Sequence, residues 1–435
     1  MQETLVKRPS VLLGSASAGG TLAAMRHLAG YGVGVNIIAD HTFCPAAWSR
    51  CATHHYAGPV ESDSMRYLDR LLAIGKAEPG QVLLPTSDEL VWLYTSNASL
   101  LARYFHLYQP PIETIRRILD KALLEEAALS AGLAVLPSWD PQNLDELAEM
   151  APHLPYPVLI KPRTHVHRLR NDKGVVVRSP AELAAEYPRF LARERYRFDD
   201  MPRAPDAVRP VIQKFVEIGR EGVISISGFI GRSADVFVSR RSTKILQRSR
   251  PVGVGVCYES CPAEPALSQA VERLCRALDY FGLFEVEFIL HDGAWAVIDF
   301  NPRLFNQIGL DLRRGLPLPM LAYLDALGEA EAVRTLAAEA QHEDPAEKVV
   351  FCDTFTLHAI LLAQTLCLRA RPRHLAHWLA WAAQNRARMV HLASDPDDPM
   401  PGVIHILSEL YLGFRAAPRF VRTMLPSSLM VAREL

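Results

Sequence analysis

The chain has 435 residues, a formal net charge of −1, 49% hydrophobic residues and 22% charged residues. This length and this ordinary globular composition predict about two or three domains rather than one simple core. The near-neutral charge gives no electrostatic case for binding nucleic acid or an anionic membrane.

The N-terminal residues predict a strand, a glycine-rich turn, a helix and a second strand. The strands are expected at 10–13 and 34–39 and the helix at about 21–30, with Asp40 directly after the second strand. Such a βαβ unit implies a parallel sheet. A dinucleotide could place its pyrophosphate on the helix N-terminus and its ribose on Asp40, but the glycines at 14–20 lack the G-x-G-x-x-G spacing. A tight turn without a ligand and a substrate-binding loop remain equally open.

The next segment predicts three helices and one short strand. Helices are expected at 62–76, 88–105 and 112–131, and a strand with the sequence QVLLPT lies at 81–86. The third helix has apolar residues at helical spacing. Lys121 lies next to its apolar face, where a lysine that extends its ammonium group to water is the simplest interpretation.

Residues 157–231 predict four strands and one helix, with a polar loop after the first strand. Lys161 ends that first strand. The loop at 164–174 is cationic and has Gly174 as its only glycine. It is either a solvated tip or a lid that binds phosphate through its side chains. A basic run that contains Lys244 follows at 236–255.

The segment 283–303 predicts a β-hairpin whose polar residues suit a metal ion. Its strands are rich in Val, Ile and Phe, and HDGA connects them. Glu287 on the first strand can meet Asp299 and Asn301 at the end of the second, with Arg303 beside them. Oxygen ligands in that number suit Mg²⁺. The alternative is an exposed hairpin with solvated carboxylates.

Beyond residue 325 the pattern is mostly helical, with helices expected at 329–341, 355–393 and 403–416. The apolar run at 355–368 is too short to cross a bilayer, and the N-terminus lacks the apolar stretch of a signal peptide. The seven cysteines are scattered, which indicates reduced thiols in a cytoplasmic protein. Two roles are open for this tail: it covers a substrate cleft, or it forms the contact of a homodimer.

Five segments, taken together, resemble the ATP-grasp superfamily, and the matches span roughly residues 10–320. They are PTSDELV at 85–91, LDKALLEEAALSAGLAVLPSW at 119–139, YPVLIKPR at 156–163, VIQKFVEIGREGVIS at 211–225, and the hairpin with its Asp-x-Asn-Pro-Arg end. The resemblance is to carboxylate–amine ligases such as D-aspartate ligase-like enzymes. It implies an α/β chain with an N-terminal Rossmann-like parallel-sheet domain (1–110), a two-subdomain ATP-grasp domain (111–325, with a lid subdomain at about 155–231) and a mostly helical C-terminal region (326–435).

The resemblance also implies roles for individual residues around ATP and Mg²⁺ (or Mn²⁺). The metal ligands would be Glu287, Asp299 and Asn301. Lys121 and Lys161 would contact the phosphates. Gln213, Lys214 and Val216 would contact the adenine edge, and Glu221 would contact the ribose. Arg303 and Lys244 would stabilise an acyl phosphate and the oxyanion formed when an amine attacks it. Gln213 and Asp299 each replace a glutamate that is frequent in the family.

The function implied is an ATP-dependent ligase that joins a small-molecule carboxylate to an amine through an acyl phosphate. An ATP-dependent carboxylase that uses bicarbonate would share the same nucleotide apparatus. A nucleotide-binding regulator without catalysis is the third alternative, and the intact set of charged residues argues against it. The identities of the acid and the amine cannot be read from the sequence.

Overall fold

The structure is a computed structural model that describes residues 8–169, 173–194, 208–218, 222–233, 235–248, 253–342, 347–366 and 372–423. It contains three β-sheets with helices packed on them. The strands are β1 (Val11–Leu13), β2 (Val35–Ala39), β3 (Ala52–Ala57), β4 (Gln81–Leu84), β5 (Phe105–Leu107), β6 (Ala134–Val135), β7 (Ser138–Trp139), β8 (Val158–Lys161), β9 (Val175–Val177), β10 (Val211–Lys214), β11 (Val223–Ile230), β12 (Phe237–Gln247), β13 (Gly255–Cys261), β14 (Gly282–His291), β15 (Ala294–Asn301), β16 (Val350–Cys352) and β17 (Met389–His391). The helices are α1 (Gly19–Gly30), α2 (Ser64–Ala77), α3 (Asp88–Ser96), α4 (Ala98–Leu101), α5 (Ile112–Leu119), α6 (Lys121–Ser130), α7 (Leu144–Met150), α8 (Pro180–Arg193), α9 (Pro265–Ala277), α10 (Ile308–Arg313), α11 (Leu318–Ala326), α12 (Ala330–His342), α13 (Thr354–Leu366), α14 (Pro372–Gln384) and α15 (Met400–Thr423).

The N-terminal sheet is entirely parallel, as predicted, and has the strand order β3-β2-β1-β4-β5. Every residue of β1 and β4 is buried, because helices cover both faces of such a sheet. The chain proceeds outward from β1 to β3 and then returns to place β4 on the other side of β1. The loops after β1 and β4 therefore diverge at the carboxyl edge of the sheet, where a crevice opens.

The remaining strands form a four-stranded sheet, β7-β10-β8-β9, and an eight-stranded sheet, β17-β16-β13-β12-β11-β14-β15-β6. Side chains alternate between the two faces of the large sheet. Val286 and Phe288 of β14 pack with α9 in an apolar core. Glu285 and Glu287 consequently point to the opposite face of the sheet. The predicted α/β class is confirmed, whereas the predicted domain boundaries at 110 and 325 stay predictions.

The single helix predicted at 112–131 is wrong, because the chain bends at Asp120. Helix α5 ends at Leu119 and α6 begins at Lys121. The Asp120 carboxylate accepts hydrogen bonds from the backbone amides of Ala122 and Leu123, which caps the second helix. The bend places Lys121 in the first turn of a helix, where its own amide donates to the carbonyl of Arg163 at 3.0 Å.

Two other predicted helices are too long. The helix predicted at 88–105 ends at Ser96, and its last residues belong to α4 and to strand β5 of the parallel sheet. The helical stretch predicted at 355–393 ends at Gln384, and strand β17 follows it. Strands β16 and β17 extend the large sheet, so the C-terminal region is not purely helical. No helix within the described ranges has both the length and the apolar character that crossing a membrane requires.

Gly20 permits α1 to pack directly on the chain that follows β15. A Cβ atom added at Gly20 would overlap the carbonyl oxygen of Phe305, which is backbone and cannot rotate away. We expect Gly20→Ala to destabilise the fold by about 1–3 kcal/mol, because this overlap outweighs the better helix propensity of alanine. The matched control is Gly30→Ala at the end of the same helix, where an added Cβ meets nothing within 4 Å. Thermal unfolding midpoints should fall for the first variant and not for the second.

Candidate active site

A cleft of about 820 Å³ lies where the three sheets meet, and the predicted site residues line it. Its lining includes Lys121, Lys161, Gln213, Lys214, Val216, Lys244, Glu287, Asp299, Asn301 and Arg303. Glu221, predicted to hold the ribose, lies outside the described residues. Segments far apart in the chain therefore meet in one place: Lys121 and Asp299, for example, are 178 positions apart.

The β14–β15 hairpin positions the candidate metal ligands. Glu287 is paired across the strands with Asp299, and Glu285 with Asn301, so all four side chains share the cleft face. A β-bulge directly after Glu287 shifts the register and increases the local twist. Two carboxylates and an amide oxygen on neighbouring strands are the hard donors that Mg²⁺ or Mn²⁺ prefers. The residues present therefore fit such an ion.

Each predicted carboxylate ligand is paired with a lysine from another element. Lys121 donates to Asp299, and Lys244 of β12 donates to Glu287. Burial alone would raise the pKa of Asp299, but the Lys121 ammonium beside it holds that pKa well below its usual range. Burial likewise opposes ionisation of the two lysines, yet their carboxylate partners raise the pKa of each. Asp299 is therefore ionised at neutral pH, as a metal ligand must be.

Arg303 bridges this hairpin and the first turn of α3. Its Nε donates to Asp88 Oδ1 at 2.7 Å, and its Nη2 donates to Asn301 Oδ1 at 2.9 Å. Burial alone would lower the pKa of Arg303, but Asp88 raises it, so the guanidinium is firmly charged. The Asn301 oxygen keeps a second lone pair for a cation. The guanidinium thus lies beside the predicted metal ligands, as the sequence indicated.

Glu285 is the centre of a buried network that the sequence analysis did not assign. It accepts hydrogen bonds from Ser225 Oγ at 2.7 Å, from Asn301 Nδ2 at 3.1 Å and from Gln307 Nε2. Burial, and then the charge of Glu287, raise the pKa of Glu285 to about 7. The network fixes which way the Asn301 amide faces, in the manner of outer residues that orient metal ligands. The available signal in the sequence was the alternation of Glu285 and Glu287 with apolar residues, which places both carboxylates on one face of β14.

Glu125 of α6 is a second residue that the sequence analysis missed. Its carboxylate accepts from Gln213 Nε2 at 2.7 Å, from Lys161 Nζ at 3.4 Å and from Ser138 Oγ. Burial lowers the pKa of Lys161, and Glu125 opposes that shift. Glu125 therefore holds Lys161 and Gln213 in fixed positions. No sequence pattern links it to them, since they lie 36 and 88 residues away.

The segment around Lys214 borders the apolar end of the cleft. The Lys214 ammonium donates to the carbonyl oxygen of Pro155 at 2.5 Å, so it is turned toward backbone rather than toward the lysines at the other end. Val216 packs with a small apolar cluster. The cleft wall here consists of side chains that a flat heteroaromatic ring can contact, namely Leu136, Leu159, Val216, Ile218, Ile289 and Ile298.

No family model matches the chain. A stretch of 240 residues, 54% of the chain, is 22% identical to the arginine-specific large chain of carbamoyl phosphate synthase from Halalkalibacterium halodurans. The match covers 21% of that relative, so the chain spans only about a fifth of its length.

Two solved structures resemble the chain over most of its length. L-amino acid ligase from Bacillus licheniformis matches with a TM-score of 0.59 and 14% identity over 79% of each chain. The biotin carboxylase domain of Hydrogenobacter thermophilus 2-oxoglutarate carboxylase, solved with MgADP and bicarbonate, matches with a TM-score of 0.57 and 16% identity over 73% of this chain and 70% of that one. Both have the ATP-grasp architecture. The chain has the ATP-grasp fold. The predicted resemblance is confirmed at this level.

In this ATP-grasp fold the cationic loop after β8 is anchored by its own side chains. Arg168 forms a buried two-point ion pair with Glu194, both contacts at 2.6 Å. His167 is hydrogen-bonded to Ser64 of α2 at 3.1 Å. Burial lowers the pKa of Lys173 and, together with the charge of Lys173, the pKa of His165. His165, Arg168 and Lys173 all line the cleft, and Arg168 is held there by its ion pair with Glu194. Arg170 lies outside the described residues.

Proposed function

We propose that the chain is an ATP-dependent ligase that activates a carboxylate as an acyl phosphate and joins it to an amine, releasing ADP and phosphate. The observation that carries the proposal is the hairpin with Glu287, Asp299 and Asn301, which has Arg303 beside it and two lysines opposite its carboxylates. This set matches what phosphoryl transfer needs, because it combines a metal site with fixed positive charge in one cleft.

In this proposal the adenine ring occupies the apolar end of the cleft, with its polar edge on the chain from Gln213 to Val216. The triphosphate extends toward Lys121 and Lys161, which approach from α6 and β8. These lysines counter phosphate charge, and Glu125 keeps Lys161 in place. The solved relative with MgADP supports a nucleotide in a cleft of this fold. Glu221 keeps its predicted ribose role as part of the proposal.

Glu287, Asp299 and Asn301 would hold Mg²⁺ or Mn²⁺, which neutralises charge on the β- and γ-phosphates during transfer. A carboxylate oxygen of the acid attacks the γ-phosphorus, and the bond from that phosphorus to the ADP oxygen breaks. The amine nitrogen then attacks the acyl carbon, loses a proton, and displaces phosphate. Arg303 and Lys244 stabilise the acyl phosphate and the oxyanion of the second step. The walls of the cleft exclude water that would hydrolyse the intermediate.

The test is a screen for ADP release with organic acids and amino acids in pairs, followed by mass detection of products. A pair that releases ADP and yields an amide supports the ligase. Release that depends on bicarbonate, with no organic acid present, would replace the ligase with the carboxylase that the same fold also serves. ATP binding without hydrolysis across the whole panel would indicate a regulator instead.

The two lysines make a separate prediction about nucleotide affinity. We expect Lys161→Ala to weaken ATP binding by roughly tenfold or more, since one charge-assisted contact to phosphate is lost. Lys121→Ala should weaken it less, because Lys121 is paired more closely with Asp299 than Lys161 is with Glu125, which lies at 3.4 Å. Calorimetry measures both, with Lys76→Ala on the exposed side of α2 as the control. Unchanged affinity in both variants would mean that neither lysine meets the phosphates.

The described cysteines are free thiols, which fits the cytoplasmic location that we propose. A homodimer stays a prediction, and the substrates are taken to be small molecules that the cleft can enclose.

A further inference from the structure

A second cavity, of about 440 Å³, lies at the carboxyl ends of β1, β2 and β3. The loop after β1 forms its floor, and the C-terminal region closes its other side. It shares the lining residues Ser15, Ala18, Arg248 and Asn306 with the cleft, so the two spaces are adjacent. It also lies beside the point where the strand order of the parallel sheet reverses, which is where ligands bind in open α/β sheets.

The cavity is acidic. Four carboxylates line it, from Asp40, Glu61, Asp353 and Glu409, against one guanidinium, from Arg248. Arg248 contacts Glu409 at 3.4 Å, and His405 contacts Asp353 at 3.4 Å. Within the described ranges, the remaining two carboxylates have no lysine or arginine partner. Asp40 lies 3.8 Å from His41 and accepts a hydrogen bond from Cys44 Sγ at 3.3 Å, and Glu61 accepts hydrogen bonds from the hydroxyls of Ser15 and Ser87.

A buried group without a hydrogen-bond partner lies at the cavity. The Tyr67 side chain is 1% exposed and lines the cavity, and its hydroxyl has no hydrogen-bond partner among the described residues. Buried polar atoms are nearly always paired, and a polar ligand in the cavity would supply the partner that this hydroxyl lacks. Burial also raises the pKa of the nearby Glu61 carboxyl, a cost that a bound cation would relieve.

We propose that this acidic cavity binds the amine substrate of the ligation and selects an acceptor that carries a second cationic group, such as a diamine or a basic amino acid. The inference rests on the proposed function, because it assigns the acceptor of that reaction. The reacting amine must be uncharged to attack the acyl carbon, so the carboxylates of Asp40 and Glu61 would hold the other, charged end. An anionic acceptor would be repelled by the four carboxylates. The acid belongs instead near Arg303 and Lys244, at the cationic part of the cleft.

The C-terminal region is a wall of this cavity. Asp353 precedes α13, and His405 and Glu409 belong to α15. This wall is tied to the N-terminal sheet through Asp398, which accepts from Arg26 Nε at 2.9 Å and from Ser49 Oγ at 2.6 Å. Of the two roles left open for the tail, covering the substrate is the one that this cavity favours.

Titration calorimetry on the full chain tests the assignment. Putrescine, L-lysine and L-arginine should bind with one site, whereas n-butylamine, with one charge, should bind more weakly and L-glutamate not measurably. Glu61→Gln keeps the shape of the side chain and should weaken binding of putrescine, L-lysine and L-arginine by about tenfold or more. Glu113→Gln, an exposed carboxylate on α5, is the control and should bind like the wild type. MgATP affinity should be the same in all three proteins.

Stronger binding of L-glutamate than of the cations, or equal cation affinity in Glu61→Gln and Glu113→Gln, would overturn the assignment. Should Glu61→Gln fail to fold, Glu409→Gln at the cavity wall and Tyr67→Phe replace it, with reduced cation affinity again expected. Cation binding without ADP release for any acid would sink the proposed ligation and leave the cation site standing. Amide formation with an amine that has no second cationic group, in preference to a diamine, would overturn the cation site and leave the proposed ligation standing.

Discussion

Glu287→Ala and Asp299→Ala should each lower the rate of metal-dependent ADP release by about a thousandfold or more. Each change removes one of the two carboxylates assigned as metal ligands, which are paired across the hairpin. Without it the divalent ion is held weakly, and several kcal/mol of charge neutralisation in phosphoryl transfer are lost. The measurement is ADP release with a competent acid and amine, together with Mn²⁺ affinity by calorimetry.

Folding must be checked in the same variants, because each substitution leaves a lysine without its partner. Lys244 would lose Glu287, and Lys121 would lose Asp299. Isosteric Glu287→Gln and Asp299→Asn keep the packing and separate these effects, and circular dichroism with thermal unfolding should report a folded chain. The control is Asp292→Asn at the turn of the same hairpin, where the side chain is 89% exposed and φ is +49°, a conformation that asparagine also adopts. It should release ADP normally. Near-normal turnover in both alanine variants would refute the metal assignment.

The hairpin could be predicted because strand alternation is a local property. Once Glu285 and Glu287 are on one face of β14, antiparallel pairing brings the end of β15 beside them. The apolar residues that alternate with them, Val286 and Phe288, fix that face by packing in the core. A shift by one residue would bury the carboxylates, so the register is strongly specified.

The partners of the site residues could not be predicted, because the fold alone brings them near. Asp88 lies 215 residues before Arg303, and Glu125 lies 88 residues before Gln213. Both carboxylates lie in segments that resemble the superfamily, but the resemblance assigned a role to neither of them. Strands β16 and β17 were missed for a related reason: each has three residues, too few for a period-two pattern. Pairing of β16 with β13, and of β17 with β16, decides their conformation.

Asp120 is a helix-start signal inside a segment whose apolar periodicity predicts one continuous helix. The apolar spacing of 112–131 continues through it, which favoured one helix. An aspartate can also mark the start of a new helix, because its carboxylate can cap the backbone amides of the residues that follow it. The structure resolves the conflict by ending α5 at Leu119, which directs Lys121 into the cleft.

Arg303→Ala should suppress trapping of the acyl phosphate far more than it weakens ATP binding. With hydroxylamine as the nucleophile, the activated acid appears as a hydroxamate, and we expect its rate of formation to fall by about 10²–10³-fold, the usual loss for one fixed donor at a developing charge. The guanidinium is held by Asp88 and Asn301 at the metal-ligand end of the cleft, away from the apolar end assigned to adenine. A contact made mainly in the transition state lowers turnover without a comparable change in ground-state affinity. ATP affinity by calorimetry should therefore change by less than about threefold.

Two further variants test whether position or charge matters. Arg303→Lys keeps a positive charge but cannot contact Asp88 and Asn301 together, so it should recover only part of the hydroxamate yield. Asp88→Asn keeps the guanidinium and weakens its anchor, so the loss should be smaller than in Arg303→Ala. Arg116→Ala on α5, an exposed arginine paired with Glu113, is the control and should trap normally. If Arg303→Ala instead lost ATP binding and turnover in parallel, Arg303 would belong to the nucleotide site, because a residue that acts only on the acyl centre cannot reduce the affinity for a substrate that binds before it.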